Sequence, residues 1–379
     1  MNQHKRVNIM KHWPVILVMI IGMSLLAISS SGLASGGWRA RPFNTVHPRI
    51  KPSVVPIGLS PTSVRAAYQL TGGSDGSGTI AVIDAYDAPT IESDLATFDQ
   101  QFGLSSCTTT NNCFEKHKMS TSVATSAGWS AESSLDVEWA HAIAPAAKVL
   151  LVEAKTDSRT NLLAAVNYAR SRADVVAVSM SWGGSEFATE KSYEADFVSP
   201  SGAAFFASSG DDGHGVSWPA ASANVISVGG STLQLSAAGK VTSETAWTDS
   251  GGGQSSFIAE PAYQVQFGIN RANGHRAVPD VAYSANPAEG FPIYDSTANN
   301  GGAGWFIVGG TSAGAPQWAA LRAIDHNLNL AKLYLDGTHA STDFHDIISG
   351  SNGSCSYYCT ARSGYDYVTG LGSPLTLSF

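Results

Sequence analysis

The run Trp305-Phe306-Ile307-Val308-Gly309-Gly310-Thr311-Ser312-Ala313-Gly314-Ala315-Pro316, followed by Gln317-Trp318-Ala319-Ala320-Leu321-Arg322-Ala323-Ile324, decides the reading of this chain. Residues 305–308 are strand-like and residues 317–324 are helix-like, so Ser312 sits where a strand turns into a helix. Glycines on the approach remove Cβ atoms and permit dihedrals that other residues avoid. A serine there presents its hydroxyl, and the start of the next helix favours negative charge beside it. That is a nucleophile's position. The plainer reading is a Gly/Ser turn with Ser312 capping an ordinary helix. A serine hydroxyl is a weak nucleophile without a base, so the rest of the chain has to supply one.

Upstream of this run, strand-like and helix-like segments alternate. Strands are expected at 79–84, 148–152, 175–180, 203–208 and 225–228. Helices are expected at 91–102, 130–143, 160–170 and 190–197, with Pro145 stopping the second. Continuous apolar strands between helices argue for a parallel sheet covered on both faces. Residues 105–128, 251–300 and the last 35 read as loop-rich, and there are no repeats.

Lys5, Arg6 and Lys11 precede an apolar run over 13–28, and Gly32-Leu33-Ala34 ends in a small residue. Residues 1–34 therefore read as a secretory signal, with an uncleaved membrane anchor as the rival. Residues 35–61, rich in Pro, Ser, Gly and Arg, read as an exposed leader, and 62–379 as one core domain. The formal charge is −8. Without the three signal-segment cations, 19 basic residues face 30 acidic ones. There is no basic patch, so a nucleic-acid surface is excluded as an expectation. Cys107, Cys113, Cys355 and Cys359 form two close pairs far apart in sequence. In an exported chain this favours two local disulfide loops. A zinc site is the alternative, but neither pair has the two-residue knuckle spacing.

Three arrangements compete as activators of Ser312. Gly310-Thr311-Ser312-Ala313-Gly314 matches the G-x-S-x-G of α/β hydrolases, which need an acid and a histidine downstream. His326, His339 and His345, with Asp325 or Asp343, are available, but Pro316 stands in the first turn of the helix. A subtilisin-type triad would place its acid at Asp84, yet no histidine in a glycine-rich helix start follows. His117 lies between two lysines, and His141 near a helix end reads as packed or capping. The third arrangement is Glu132 with Asp136. Four apart in a helix, they share one face. Usually such a pair is only solvated, but Leu135, Val137, Trp139, Ala140 and Ile143 make this helix largely apolar. Burial and like-charge coupling would raise at least one carboxyl's pKa. The pair then holds one proton between them and serves as a base at low pH, where imidazole is already protonated. Asp211, in Ser208-Ser209-Gly210-Asp211-Asp212-Gly213 after a strand, donates to an oxyanion only as a neutral acid. The alternative there is an Asx turn.

Taken together, Glu132-x-x-Leu135-Asp136, Ser209-Gly210-Asp211 and Gly310-Thr311-Ser312-Ala313-x-x-Pro316 resemble the sedolisins, the serine-carboxyl peptidases. The resemblance spans 62–379, with three separated motifs in the family's order. It implies an α/β, subtilisin-like three-layer fold with a mainly parallel sheet of about seven strands flanked by helices. It also implies Ser312 as nucleophile, Glu132 as general base, Asp136 as its partner and Asp211 as oxyanion donor. Ser181-Trp182-Gly183-Gly184 resembles the family's substrate-backbone strand, whose glycines admit an extended peptide. The tail resembles the family's structural calcium loop, one Ca²⁺ site with Asp346, Ile347, Arg362, Gly364 and Asp366; oxygen-only ligation suits that ion. Arg362 stands where relatives often carry glycine. The family also carries a large N-terminal pro-domain, whereas 27 residues lie between Ala34 and Thr62 here. The resulting expectation is a secreted, monomeric, acid-active endopeptidase. It would act on peptide or protein substrates, with no nucleic-acid partner and no stable membrane association once the signal is cleaved. A binding protein that keeps the fold without the activity is the non-enzyme rival.

Overall fold

The computed structural model describes residues 1, 37–46, 55–70, 74–297, 302–337, 340–377 and 379. Apart from Met1, the expected signal at 1–34 lies outside the described residues, as does His339. The chain divides into two units, Met1–Gly37 and Trp38–Phe379, and the second carries the fold.

Eight strands make its central sheet: β1 (Thr79–Ala85), β2 (Phe114–Lys118), β3 (Lys148–Ala154), β4 (Val175–Met180), β5 (Ala204–Ser208), β6 (Val225–Leu235), β7 (Val241–Ala246) and β8 (Val281–Ser284). Their order is β7-β6-β5-β4-β1-β3-β2, and β8 also pairs with β6. Every pairing is parallel except β6 with β7. Four of the helices are α1 (Ile91–Phe102), α2 (Ala127–Ile143), α3 (Arg159–Arg170) and α4 (Gly314–Ile324).

The sheet is buried on both faces because its strands alternate between two cores. Ile80, Val82, Val149 and Leu151 join Leu135, Trp139, Trp318 and Leu321 of α2 and α4. Ala81, Ile83, Leu150 and Val152 join Leu162, Ala165 and Val166 of α3. Successive side chains of a strand point to opposite faces, so a strand covered on both reads as an unbroken apolar run. This is the three-layer α/β architecture, with α2 and α4 packed together on one face and α3 on the other.

Three segments differ from the sequence expectation. The loop expected at 105–128 contains β2, whose Phe114-Glu115-Lys116-His117-Lys118 carries too many charges to read as a strand. It forms at the sheet edge, where charged side chains are tolerated and discourage further pairing. Glu190–Phe197 is a 3₁₀ helix rather than an α-helix. Between 251 and 300 lie the short strands Gly253–Ala259, His275–Val278 and Phe291–Asp295 as well as β8. The disulfides are the local pairs Cys107–Cys113 and Cys355–Cys359. Among the described residues, no helix is long and apolar enough to cross a membrane.

Candidate active site

The strand Gly304–Gly309 ends in a 3₁₀ turn, Thr311–Ala313, which opens α4. Gly310 joins them at φ 102°, in the left-handed region that favours glycine. A Cβ on Gly310 would fall 2.1 Å from Phe43 O and 2.4 Å from Asp211 Oδ2. Only a glycine leaves both oxygens their place. Ser312 is wholly buried here, and its Oγ donates to Ser181 O at 3.1 Å.

Glu132 and Asp136 lie one turn apart on α2, which is buried from Trp129 to Ile143. The sheet supplies a third acid, Asp84, near the end of β1, also wholly buried. Burial holds Glu132 well above the usual carboxylate range, and the charge of Asp84 adds to this. The hydrogen bond from Asn44 and the nearby Ser312 side chain pull it the other way. Asp136 is raised by burial and by Asp84 and Glu132, with Ser181 opposing. Burial pushes Asp84 up to about 7, with Ser133 opposing and Glu153 adding. Three carboxyls in one dry pocket share protons, because successive ionisations repel.

Asp211 follows β5. Its Oδ1 accepts from Thr311 N and from Thr311 Oγ1, both at 2.8 Å. Its Oδ2 is buried and without a hydrogen-bond partner among the described residues. Burial pushes its pKa up to about 7, against the two Thr311 bonds. Below that pH the group is neutral, with the proton available on the oxygen that needs a partner.

The cleft beside these groups is filled by the chain's own leader. Residues 38–46 pass through it in extended form, placed by backbone bonds on both sides. Arg41 and Pro42 pair antiparallel with Gly183 and Trp182 of Trp182–Ser185. Phe43 N donates to Ser181 O at 3.1 Å, and Ser312 N donates to Phe43 O at 3.1 Å. Asn44 Nδ2 donates to Glu132 Oε2 at 2.5 Å. Thr45 and Val46 then pair antiparallel with Gly309 and Val308. The Phe43 carbonyl oxygen thus faces the Ser312 amide, and it crowds the same point above Gly310 as Asp211 Oδ2.

Of the residues singled out from sequence, the structure therefore brings together Ser312, Glu132, Asp136, Asp211 and the backbone of Ser181, Trp182 and Gly183. Gly184 lies farther along the cleft, where a Cβ would fall 2.8 Å from the Trp38 ring. Four of the histidines singled out from sequence lie elsewhere. His117 stacks on Tyr168 with ring centroids 3.9 Å apart. The His141 ring touches Ser105 O at 2.9 Å inside the core. His326 contacts Ser77, and His345 contacts Glu244. Sequence reasoning missed the leader's place and the membership of Asp84 in the acidic cluster. Arg41-Pro42-Phe43 held a usable sign, since a residue before proline is pushed to extended backbone.

In the tail, Asp346 Oδ2 accepts from Gly364 N at 2.8 Å. Asp366 is buried, and its oxygens accept from Val368 N, Thr369 N, Arg362 N and Thr369 Oγ1. Those four bonds use the lone-pair sites a carboxylate has. Burial nonetheless leaves Asp366 raised to about 6.

A model of the subtilase family matches residues 42–329. Kumamolisin from Bacillus sp. (strain MN-32) is 32% identical over 368 residues, covering 85% of this chain and 63% of kumamolisin. Sedolisin from Pseudomonas sp. (strain 101) is 30% identical over 261 residues, covering 59% of this chain and 43% of sedolisin. The chain thus spans less than two thirds of these curated relatives. The solved structure of Pseudomonas sedolisin, a serine-carboxyl proteinase complexed with two molecules of pseudo-iodotyrostatin, superposes with a TM-score of 0.71. It is 26% identical and covers 84% of this chain and 96% of that one.

The buried acids fix a pH dependence of stability. Asp84, Asp99 and Asp211 are raised to about 7 and Glu190 to about 8, chiefly by burial; Glu132, Asp136 and Glu138 are raised as well. Each binds its proton more tightly folded than unfolded. Their contribution is therefore full below about pH 4 and is lost as pH rises through about 7 to 8. In the Ser312→Ala protein, used to keep the chain intact, calorimetry should find Tm lower at pH 8 than at pH 4.5 by at least about 5 °C. An equal or higher Tm at pH 8 would contradict this picture of the cluster.

Proposed function

The chain belongs to the subtilase family and, within it, to the sedolisin–kumamolisin group of serine-carboxyl peptidases, and from that footing we propose that it hydrolyses peptide bonds at acid pH. The observation that carries this reading is the Phe43 carbonyl, seated with its oxygen 3.1 Å from Ser312 N in a site that also holds a buried base and a neutral acid. Such a peptide is oriented for attack on the Phe43–Asn44 bond.

In the proposed mechanism, Ser312 Oγ attacks the carbonyl carbon and its proton passes to Glu132. Asp136 and Asp84 keep the proton-holding cluster in place and share its charge. The developing oxyanion is met by Ser312 N–H and by the protonated Asp211. Glu132 then returns the proton to the leaving nitrogen as the C–N bond breaks. Water reverses the sequence on the acyl-enzyme. Because the cleft accommodates backbone on both sides of the bond, the reading is endopeptidase. While the leader is seated, no other peptide reaches Ser312. A neutral-pH esterase gains nothing from His326 or His345, which are engaged away from Ser312.

Export is part of the same proposal. It is supported by the two disulfides, which persist in oxidising compartments, and by the basic-then-apolar start of the chain.

For the tail we propose one structural Ca²⁺, with Asp346, Asp366 and backbone oxygens of Ile347, Arg362 and Gly364 as the ligand set. Two carboxylates and carbonyls are a donor set that this ion accepts. Asp366 would exchange one of its four hydrogen bonds for the ion. A chelator should then lower Tm, and Asp366→Ala should abolish that response. A chelator without effect on the wild-type chain would remove calcium from the account.

The mechanism sets two opposed titrations. The carboxyl cluster must release a proton to act as base, and Asp211 must keep its own. With protein incubated at acid pH until its rate is steady, kcat/KM for peptides should be bell-shaped, with an alkaline limb no higher than about 7, where Asp211 ionises. Asp211→Asn should lose that limb at a reduced rate, and Asp211→Ala should cost about 10²–10³ in rate. Glu132→Ala and Ser312→Ala should each remove most activity, and the double variant should be little worse than either. A neutral optimum that survives Glu132→Ala would overturn the mechanism.

A further inference from the structure

The leader shows more of the cleft than the mechanism uses. Counting from the Phe43–Asn44 bond, Phe43 is position −1, Arg41 is −3, Arg39 is −5 and Trp38 is −6. Backbone bonds continue past −3 on the side of the cleft opposite Trp182–Ser185. Ala40 N donates to Asp157 O at 2.9 Å, and Arg39 bridges Ser158. Arg159 N approaches Trp38 O at 3.5 Å. The loop after β3 thus forms a second wall, and an extended chain is gripped between two backbones as far as −6.

At that far end the side-chain environment changes. The Trp38 ring lies edge-on to Trp218, with centroids 5.1 Å apart, and 6.2 Å from Phe187. Its Nε1 donates to Ser185 O at 2.8 Å. Trp218 is wholly buried and is held by antiparallel pairing with Gly184. The Arg159 guanidinium covers the Phe187 ring at 4.4 Å, which fixes that wall. Gly184 leaves the opening, because any side chain there would meet the indole. An apolar face, a fixed acceptor for a ring N–H and a glycine clearance together make a site for an aromatic residue.

Charge is arranged in between. Arg39 Nη1 is 2.5 Å from Asp157 Oδ1, and Arg41 pairs with Asp212. The Arg39, Arg41 and Asp212 side chains are more than half exposed, so these pairs weigh less than the aromatic contact.

We infer that the cleft recognises six residues on the amino side of the cleaved bond, with an aromatic subsite formed by Gly184, Ser185, Phe187 and Trp218 for position −6, and with Asp157 and Asp212 favouring basic residues at −5 and −3. This rests on the peptidase reading above and names its substrate class: extended, unfolded polypeptide with a distal aromatic residue and basic residues before the bond. A cleft open this far upstream does not require a free amino terminus near the cleaved bond.

The test uses peptides with this chain's own residues 38–46 and 40–46, both blocked at the amino end, with hydrolysis at Phe-Asn read by mass spectrometry on the full chain after acid incubation. The longer peptide should have a kcat/KM about tenfold higher, equivalent to about 1.4 kcal/mol. Replacing its Trp by Ala should remove most of the gain, and its first Arg, the counterpart of Arg39, by Ala a smaller part. Phe187→Ala in the enzyme should bring the long-to-short ratio toward one. Equal rates for the two peptides, with the ratio unmoved by Phe187→Ala, overturn the subsite and leave the peptidase reading standing. Hydrolysis of neither peptide overturns the peptidase reading, and the subsite with it. A readout that needs no turnover is hydrogen exchange in the full-length Ser312→Ala chain. There Trp38→Ala and Phe187→Ala should each speed exchange of the Ala40 amide, and unchanged exchange in both contradicts the subsite.

Discussion

The withdrawal of carboxyl groups from water around one serine is the constraint on which this structure depends. Glu132 and Asp136 come from a helix buried along nearly its whole length, and Asp84 from a strand buried on both faces. An isolated buried carboxylate is costly, so such groups keep their protons and repel a second ionisation. A cluster that gives up its protons one at a time is suited to act as a base in acid, where a histidine would be charged and inert. The same burial raises Asp211 to about 7, so below that pH it carries a proton it can donate. One physical effect thus supplies both halves of the proposed chemistry, and it is also the source of the expected preference of the fold for acid.

The leader converts that pocket from a set of groups into a readable cleft. Its backbone meets Gly183, Ser181, Ser312 and Gly309 in succession, so the direction and register of a bound chain follow from the strand geometry. Main-chain pairing of this kind holds many sequences alike, and side-chain pockets discriminate among them. The neighbouring glycines are where close approach demands them. Gly310 clears the carbonyl and the Asp211 oxygen, Gly183 clears the Phe43 ring, and Gly184 clears Trp38.

Much of this was legible in the sequence. The strands expected at 79–84, 148–152 and 175–180 announced themselves because both faces are buried and every residue in them is apolar or small, Lys148 and the carboxyl at Asp84 excepted. Ser312 was legible because a strand, glycines and a helix converge on it. Glu132 and Asp136 were legible only through the apolar residues around them, which contradict a solvated face. What stayed hidden has a common cause: tertiary contact, not local pattern. Strand β2 exists because β3 offers it an edge, and its own residues are mostly charged. Asp84 reads as a strand-end acid until α2 is laid across it. Residues 38–46 look like a polar, proline-containing leader, and only the cleft gives them a strand's conformation. Among the short strands between 251 and 300, β8 depends on the distant β6, whereas Gly253–Ala259 pairs with His275–Val278 and Phe291–Asp295 with Gly304–Gly309.

In the proposed chemistry, Ser312 is made nucleophilic by Glu132 within a buried carboxyl cluster. The direct measurement is intact-protein mass spectrometry after mixing acid-incubated full chain with an activated ester of a peptide ending in Phe at acid pH and quenching within the turnover time. A single acyl adduct, mapped to Ser312, is expected, and it should fail to accumulate in the Glu132→Gln protein. An adduct that forms equally in Glu132→Gln, or that maps to another residue, would contradict that chemistry.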